Sequence, residues 1–517
     1  MTCSCVIALL NSLHRRHVGL VRFYLGKMGR GQVAVCLSEM FKGRRSLLLQ
    51  VPQSGLIQEI FGLLENARAA QLIALLTSLS SCQGLGVSVN QDLICECLLQ
   101  AKVNLLPMCR LEQTKSKLKL FIHVPGSRGS TIVTTALQGE MVWHCVNDIS
   151  DLEFQSIVAG DYSSLNLAQQ DIKYFTKCLE LYCQLTLGRN QKALKMLLQN
   201  PKLALGYDEI LNFMQEETLP AWVRAQYAKL MLQFYVDRYP QRPKTIVHLA
   251  RIWSEVKVNP RPPSFLTSTD DDQSIEAVDI PACTDRFFML MDRVPILLRK
   301  AHGQVSGLNS DRIEFLSSVV SLAQNMIAFG FWVDTETSDP AADFSKIKVL
   351  FDATFELLKD PKTSTQSTNK PSTGLLKLRS QVLDFLGSLL AFRTNKKISI
   401  VTNAYEKIFK QLDKISDWTM EGSGEAFPST SGDYGAKGLE ALFQPCGVAI
   451  QNLEKDLFRT SFLSDNINAD TYCTGGWDDA WIQTMLRLCR SKDAEINKKA
   501  ISFILRHMYV YESVCKC

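Results

Sequence analysis

A mainly α-helical chain, built from short helix pairs in series, is what this sequence predicts, on three observations. Apolar residues recur at three- and four-residue steps over most of the chain. One stretch, residues 110–165, switches to β-branched and aromatic runs around a turn-rich centre. The helical blocks are parted by segments rich in Ser, Thr, Pro, Gly and Asp. Helix pairs that follow one another without a strict period each bury a face on the next. The expected architecture is therefore an α-solenoid of armadillo or HEAT-like helix pairs with a small strand-bearing or irregular insert.

In chain order, residues 33–106 read as helices separated by short polar turns, through "VAVCLSEMF", "GLIQEIFGLLENARAAQLIALLTSLSSC" and "NQDLICECLLQ". Leu56, Ile60, Leu63 and Leu64 fall on one stripe, and Leu72, Leu75 and Leu79 continue a similar one beyond Asn66, which predicts an antiparallel pair. In the insert, "KLKLFIHV", "STIVTTAL" and "EMVWHCV" are the strand candidates around "PGSRGS". Helix resumes at "NLAQQDIKYFTKCLELYCQLTLGRNQKALKMLL" and continues to "ARIWSEV", with Pro220 and Pro240 bracketing one helix as a first-turn proline and a stop. Further on, "SDRIEFLSSVVSLAQNMIAFGFW" carries the stripe Ile313, Leu316, Val320, Ala323 and Ile327, and "GLLKLRSQVLDFLGSLLAF" carries a similar one. The chain divides into a helical region 1–109, an irregular or β insert 110–165, a helical repeat block 166–257, a linker 258–284 and a helical block 285–358. A linker 359–375, a helical block 376–415, a linker 416–437 and a terminal helical block 438–517 complete it.

Composition narrows the function. Hydrophobic residues make up 46% and charged ones 21%, which is the balance of a folded protein. A net charge of +5, from 57 basic and 52 acidic side chains, is too small an excess for a nucleic-acid or membrane-surface role of the whole chain. No apolar run approaches the ~18 residues of a bilayer span, so no membrane span is expected. The 16 cysteines lack even spacing and a secretory signal, and read as reduced cytosolic thiols.

Motifs for chemistry are missing. The sequence contains no G-x-x-x-x-G-K-S/T loop, G-x-S-x-G elbow, H-E-x-x-H or Rossmann fingerprint, so neither an enzyme nor a cofactor is expected. The Cys-x-Cys pairs at Cys3 and Cys5, Cys95 and Cys97, and Cys515 and Cys517 lack the spacing of zinc ligands. Asp270, Asp271 and Asp272 lack the alternation, glycine turn and closing Glu of a calcium loop, which leaves no metal site. Two basic spots stand out, "HRRH" at 14–17 and "FKGRRSLL" at 41–48; without interleaved aromatics they make no nucleic-acid groove. Taken alone, His14, Arg15 and Arg16 read as solvated surface, although arginines also grip phosphates bidentately.

"ETLPAWVRAQYAKLMLQFYVDRYPQ", followed by "LARIWSEV", resembles the inositol 1,4,5-trisphosphate receptors, the intracellular calcium-release channels. "SCQGLGVSVNQDLICECLL", a homology region shared with ryanodine receptors, "YFTKCLELYCQLTLGRNQKAL", "LAQNMIAFGFW" and "LDFLGSLLAFRTNKKIS" match in the same order. The terminal "WIQTMLRLCRSKDAEINKKAISFILRHM" is similar to a helical pair of that family, and the resemblance runs from about residue 4 to 510. Ryanodine receptors are the runner-up, without their SPRY modules. The resemblance implies that residues 1–109 belong to the RIH homology domain and that the chain is a central cytosolic relay, with ligand-binding trefoils before residue 1 and pore helices after residue 517. It also implies partners in other domains or subunits of a homotetrameric channel, a place at the cytosolic face of the endoplasmic reticulum membrane, and a cytosolic location for this chain alone. His14, Arg15 and Arg16 fall where the family carries a Tyr-Arg-Lys triplet against inositol phosphates, so the resemblance makes them a partial ligand site, completed only with upstream domains. A free-standing armadillo-like protein-binding scaffold is the alternative.

Overall fold

The computed structural model describes residues 30–66, 68–101, 104–113, 118–125, 142–160, 164–238, 284–302, 309–329, 331–332, 340–359, 372–389, 391 and 479–515. These fall into two compact units. The first holds the described residues up to 238 together with 309–325, and the second holds 284–302, 326–329 and the described residues from 331 onward. His14, Arg15, Arg16, Asp270–Asp272, "STIVTTAL", Pro240 and the linker segments 258–283, 360–371 and 416–437 lie outside the described residues.

The first unit starts with α1 (Arg30–Phe41), two single-turn helices α2 (Arg45–Leu48) and α3 (Val51–Ser54), then α4 (Leu56–Asn66) and α5 (Ala70–Ser80). A two-stranded hairpin, β1 (Ser81–Cys82) and β2 (Leu85–Gly86), turns the chain into α6 (Ser88–Gln100). Gln83 and Gly84 both take positive φ in that turn, at 51° and 78°, which suits a tight hairpin. The predicted stripe of α4 is buried at Leu56, Ile60 and Leu64, and α5 buries Leu72, Leu75 and Leu79. Although α4 and α5 touch, α5 makes its larger interfaces with α1 and with a later helix, α8 (Leu167–Leu185).

The insert is a three-stranded antiparallel sheet in the order β3 (Met108–Gln113), β4 (Leu118–His123), β5 (His144–Cys145). Its inner face carries the buried Leu120, Ile122 and Val124 toward α8. Periodicity points to β4 and β5 but not to β3, because "MCRLEQ" holds no β-branched residue to mark it. The sheet is fastened by Asn147, whose side chain accepts from the Leu120 N–H at 2.7 Å and donates to Leu118 O at 2.9 Å and Thr218 Oγ1 at 2.6 Å. Below it, His144 Nε2 lies 3.2 Å from Asp171 Oδ2 on α8.

After α7 (Asp151–Ala159), α8 begins on a capping box: the Asn166 side chain takes the Gln169 N–H, and Gln169 returns to the Asn166 N–H. Through its middle α8 buries Tyr174, Phe175, Cys178, Leu179, Leu181 and Tyr182, while Lys177 and Glu180, paired with each other, keep partial contact with solvent, as suits a helix packed on several neighbours. Against it pack α9 (Gln191–Leu198) and α11 (Ala221–Met231), and α10 (Tyr207–Gln215) packs on α11. Helix α11 starts just after Pro220, which stands at its N-cap and not inside the first turn as the sequence suggests, and it runs on into a π turn, Leu232–Val236. Helix α13 (Ser310–Ala328) buries the whole predicted stripe Ile313, Leu316, Val320, Ala323 and Ile327.

In the second unit α12 (Thr284–His302), with Pro295 inside it, packs on α14 (Pro340–Glu356), and Phe287 meets Phe331 edge-on at 4.7 Å. Helix α15 (373–389) buries Val382, Phe385, Leu386 and Leu389. Helices α16 (Asp479–Cys489) and α17 (Ala494–Cys515) form a packed pair, with Lys499 of α17 bonded to Asp384 of α15 at 2.6 Å. The architecture is thus mainly helical with a small antiparallel insert, as expected from sequence. No helix among the described residues is long and apolar enough to cross a membrane.

The central place of α8 has a measurable consequence. Leu181→Ala removes a side chain with no exposure, and is expected to lower the stability of the first unit by about 2–5 kcal/mol. Removing the exposed cap by Asn166→Ala is expected to cost about 1 kcal/mol. Urea unfolding of the two variants checks the ratio; equal small losses would show α8 to be peripheral.

Candidate functional site

A helix packed into a core must still end, and its last carbonyl groups have no partner within the helix. At the end of α8 these groups face Gln91, the fourth residue of α6, which is 1% exposed. Its Nε2 uses both hydrogens, donating to Gln184 O at 2.7 Å and Leu187 O at 3.0 Å. The neighbouring Asn90, also fully buried, donates to Leu48 O at 3.0 Å and Leu79 O at 2.8 Å. Two adjacent amides thus tie three helix ends to the start of α6. Space for this is left by Gly86, where a Cβ would stand 2.4 Å from Leu187 O and 2.6 Å from Gln91 Nε2.

The loop that leaves α8 is gripped from the other side as well. Thr186 Oγ1 donates to Gln233 Oε1 at 2.8 Å, and Arg189 Nε donates to Asp237 Oδ1 at 2.8 Å. Both partners belong to the π turn and its end. Asn190 caps α9 by accepting the Ala193 N–H at 2.8 Å, and its own amide donates to Asp92 Oδ1 at 2.7 Å. The loop pays a backbone cost for these contacts: Gly188 and Arg189 both take left-handed φ, 81° and 65°, and for arginine that region is strained. Residues 184–190 are therefore a hub, where "QGLGVSVNQD", "LTLGRN" and "QFYVD" meet.

A second cluster secures α13. Pro220 at the head of α11 has no side-chain acceptor, and Asp151 supplies one, with Oδ1 accepting the Ala221 N–H at 3.0 Å. Its Oδ2 accepts from Arg312 Nε at 3.3 Å. Arg224 donates to Met214 O at 3.1 Å and lies 4.3 Å from the Phe315 ring, and burial lowers its pKa from the ordinary guanidinium value. Lys229 Nζ donates to Glu314 Oε1 at 2.6 Å. Burial raises the Asp311 carboxyl above its ordinary value; Asp151 and Glu314 add repulsion, against a hydrogen bond from Gln155.

Among the described residues no group of three or more His, Cys, Asp or Glu is placed to hold a metal ion. Cys95 is pushed up to about 12, by burial first and then by Asp92, and burial likewise raises Cys97. Raised in this way, neither thiol is an activated nucleophile at neutral pH. Hub residues Asn90, Gln91, Thr186, Arg189, Asn190, Gln233 and Asp237 carry no individual signature in the sequence; what marks them is their place inside the segments that resemble a known family.

Two comparisons bear on that resemblance. Residues 20–110 match the RIH domain of ryanodine and inositol trisphosphate receptors. The chain is also similar to inositol 1,4,5-trisphosphate receptor-like protein A of Dictyostelium discoideum, with 22% identity over 223 residues, 43% of this chain and 6% of that protein. The match therefore spans a small fraction of that relative's length. The RIH match takes in Gly86, Asn90 and Gln91 and ends before α8, so the hub joins the RIH domain to the helices that follow it.

Two outcomes are expected. Gln91→Ala strips a partner from two buried carbonyls and is expected to cost about 1–3 kcal/mol, and Gly86→Ala at least as much, since the opposing atom is backbone. Thermal unfolding of both variants measures this. For Asp311 the sign follows from its raised folded pKa: the carboxyl carries no cost below its ordinary value near ~4 and the full cost above the raised one. Asp311→Asn should therefore stabilise the protein increasingly as pH rises from the ordinary carboxylate value through the raised one, read as a growing gap in melting temperature between variant and wild type.

Proposed function

We propose that this chain, which carries a RIH region of the inositol trisphosphate and ryanodine receptor family, is a cytosolic helical relay of an inositol 1,4,5-trisphosphate-gated calcium-release channel. It couples ligand binding to pore opening and breaks no covalent bond. The observation that carries this reading is the hub: three separate segments of the resemblance meet at residues 184–190 through part-buried, directional hydrogen bonds. A relay needs rigid layers that meet in discrete arrangements, and directional hydrogen bonds at a junction select one such arrangement where apolar packing alone would leave several of similar energy. The similarity to a receptor-like protein named for inositol trisphosphate favours that ligand over the ryanodine-receptor alternative.

On this reading the chain works within a tetrameric assembly at the cytosolic face of the endoplasmic reticulum. Arg15 and Arg16, with His14 beside them, form one rim of an inositol phosphate site that upstream domains complete. Bidentate guanidinium pairing is the chemistry by which arginines hold phosphate.

The test is a chimera in which this chain replaces the equivalent region of an inositol trisphosphate receptor, followed by calcium release from microsomes. Release evoked by the ligand is expected. Gln91→Ala should lower release while leaving ligand affinity within about twofold, whereas Arg15→Gln with Arg16→Gln should weaken affinity about tenfold or more. A chimera that binds ligand and releases nothing, or that releases equally with Gln91→Ala, would reject the relay.

A further inference from the structure

Two unfavourable backbone conformations hold each other in place at the hub. The π turn that ends α11 is the less stable relative of an α turn: the Asp237 N–H reaches Leu232 O, five residues back, at 2.6 Å. Three side-chain contacts keep it in that register. Gln233 meets Thr186 at 2.8 Å, the Tyr235 hydroxyl donates to Leu205 O at 3.1 Å beside the edge of Tyr207, and Asp237 takes Arg189 at 2.8 Å. On the opposite side, Arg189 keeps its left-handed backbone while its guanidinium is held by Asp237.

Relaxing either partner releases the other. If the π turn passes to the α form, the Asp237 N–H pairs with Gln233 O, four residues back, and everything after the turn rotates by about 100°. Asp237 then leaves Arg189, Gln233 leaves Thr186 and Tyr235 leaves Leu205 O. Without Asp237, the turn 186–190 can abandon the positive φ at Arg189. The clamp from Gln91 acts on the other flank of the loop, through the Gln184 and Leu187 carbonyls, and is not broken by this change.

We propose that the π turn Leu232–Val236 and the Arg189–Asp237 pair form a two-state joint, in which a one-residue change of register at the end of α11 unlatches the loop leaving α8. The use of the joint rests on the relay reading; its existence does not. A chimera that failed to release calcium would leave the joint standing, and the measurement below reads the joint without any channel.

Native-state hydrogen exchange with mass spectrometry, on the full chain at low denaturant concentrations, tests it. In the wild type the amides of 186–190 and 233–237 are expected to open together, with one shared protection factor below that of α8. Asp237→Asn should speed exchange of both segments by the same factor, about tenfold, while α8 and α11 stay protected. Deleting Gln233 places the chain in the α register: the Asp237 amide should remain protected while 186–190 exchanges freely. Loss of protection at both places in the deletion variant means simple fraying and overturns the joint. So does a different factor at the two segments in Asp237→Asn, no change in either, or loss spread over the whole chain. If the deletion variant does not fold, the Asp237→Asn result decides alone.

Discussion

The first unit depends on one constraint: a helix packed into the core along most of its surface must find partners for the carbonyls at its buried end without help from water. Helix α8 buries Tyr174, Phe175, Leu181 and Tyr182 against its neighbours, and Gln184 O and Leu187 O are left to be satisfied from outside the helix. Gln91 meets both with one amide group. That choice fixes where α6 begins, requires the missing Cβ at Gly86, and brings the RIH region into register with the helices that follow. An unpaired buried carbonyl costs more than an ordinary hydrogen bond contributes, so the geometry is specified strongly at little net gain in stability.

Neutral amides serve the dry centre, and charges serve its margin. Asn90 and Gln91 are buried and need no counter-ion, whereas Lys229 and Glu314, and Arg312 and Asp151, pair where both partners keep partial contact with solvent. Burying those ion pairs would add a desolvation penalty that their attraction repays only in favourable geometry. Asp171, Lys173 and Asp311 are buried charged groups that depart from this rule, and half-buried Arg224 is accommodated by a backbone acceptor on one side and the Phe315 ring on the other.

Periodicity makes the helices legible because burial imposes it. The stripe Ile313, Leu316, Val320, Ala323 and Ile327 is buried as its spacing requires, and Pro220 marks the start of α11. Periodicity is silent on β3, which has no β-branched residue, and on the partners of α5, because an apolar stripe states that it needs cover without saying which helix provides it. The hub is hidden for a related reason. Gln91, Asn190 and Asp237 are polar residues beside or within amphipathic helices, where a pattern reading assigns them to solvent. Their partial or full burial follows only from the meeting of segments 48 to 99 positions apart, which the resemblance marks as important without saying why.

The cap that Asp151 provides for α11 also bears on the order in which the chain folds. A proline-headed helix would ordinarily be finished by its own neighbours, yet this one borrows an acceptor 70 positions upstream, and the same carboxylate is tied to Arg312, 161 positions further along. Contacts of that separation form late, because the entropy of closing long loops must be met before they return any stabilisation. During synthesis the first unit therefore stays incomplete until residues 309–325 have left the ribosome, well after α5 and α8 have emerged. Such a chain has a built-in delay between making its core and closing it, an interval in which a chaperone has something specific to cover: the faces of α11 that α13 will later occupy.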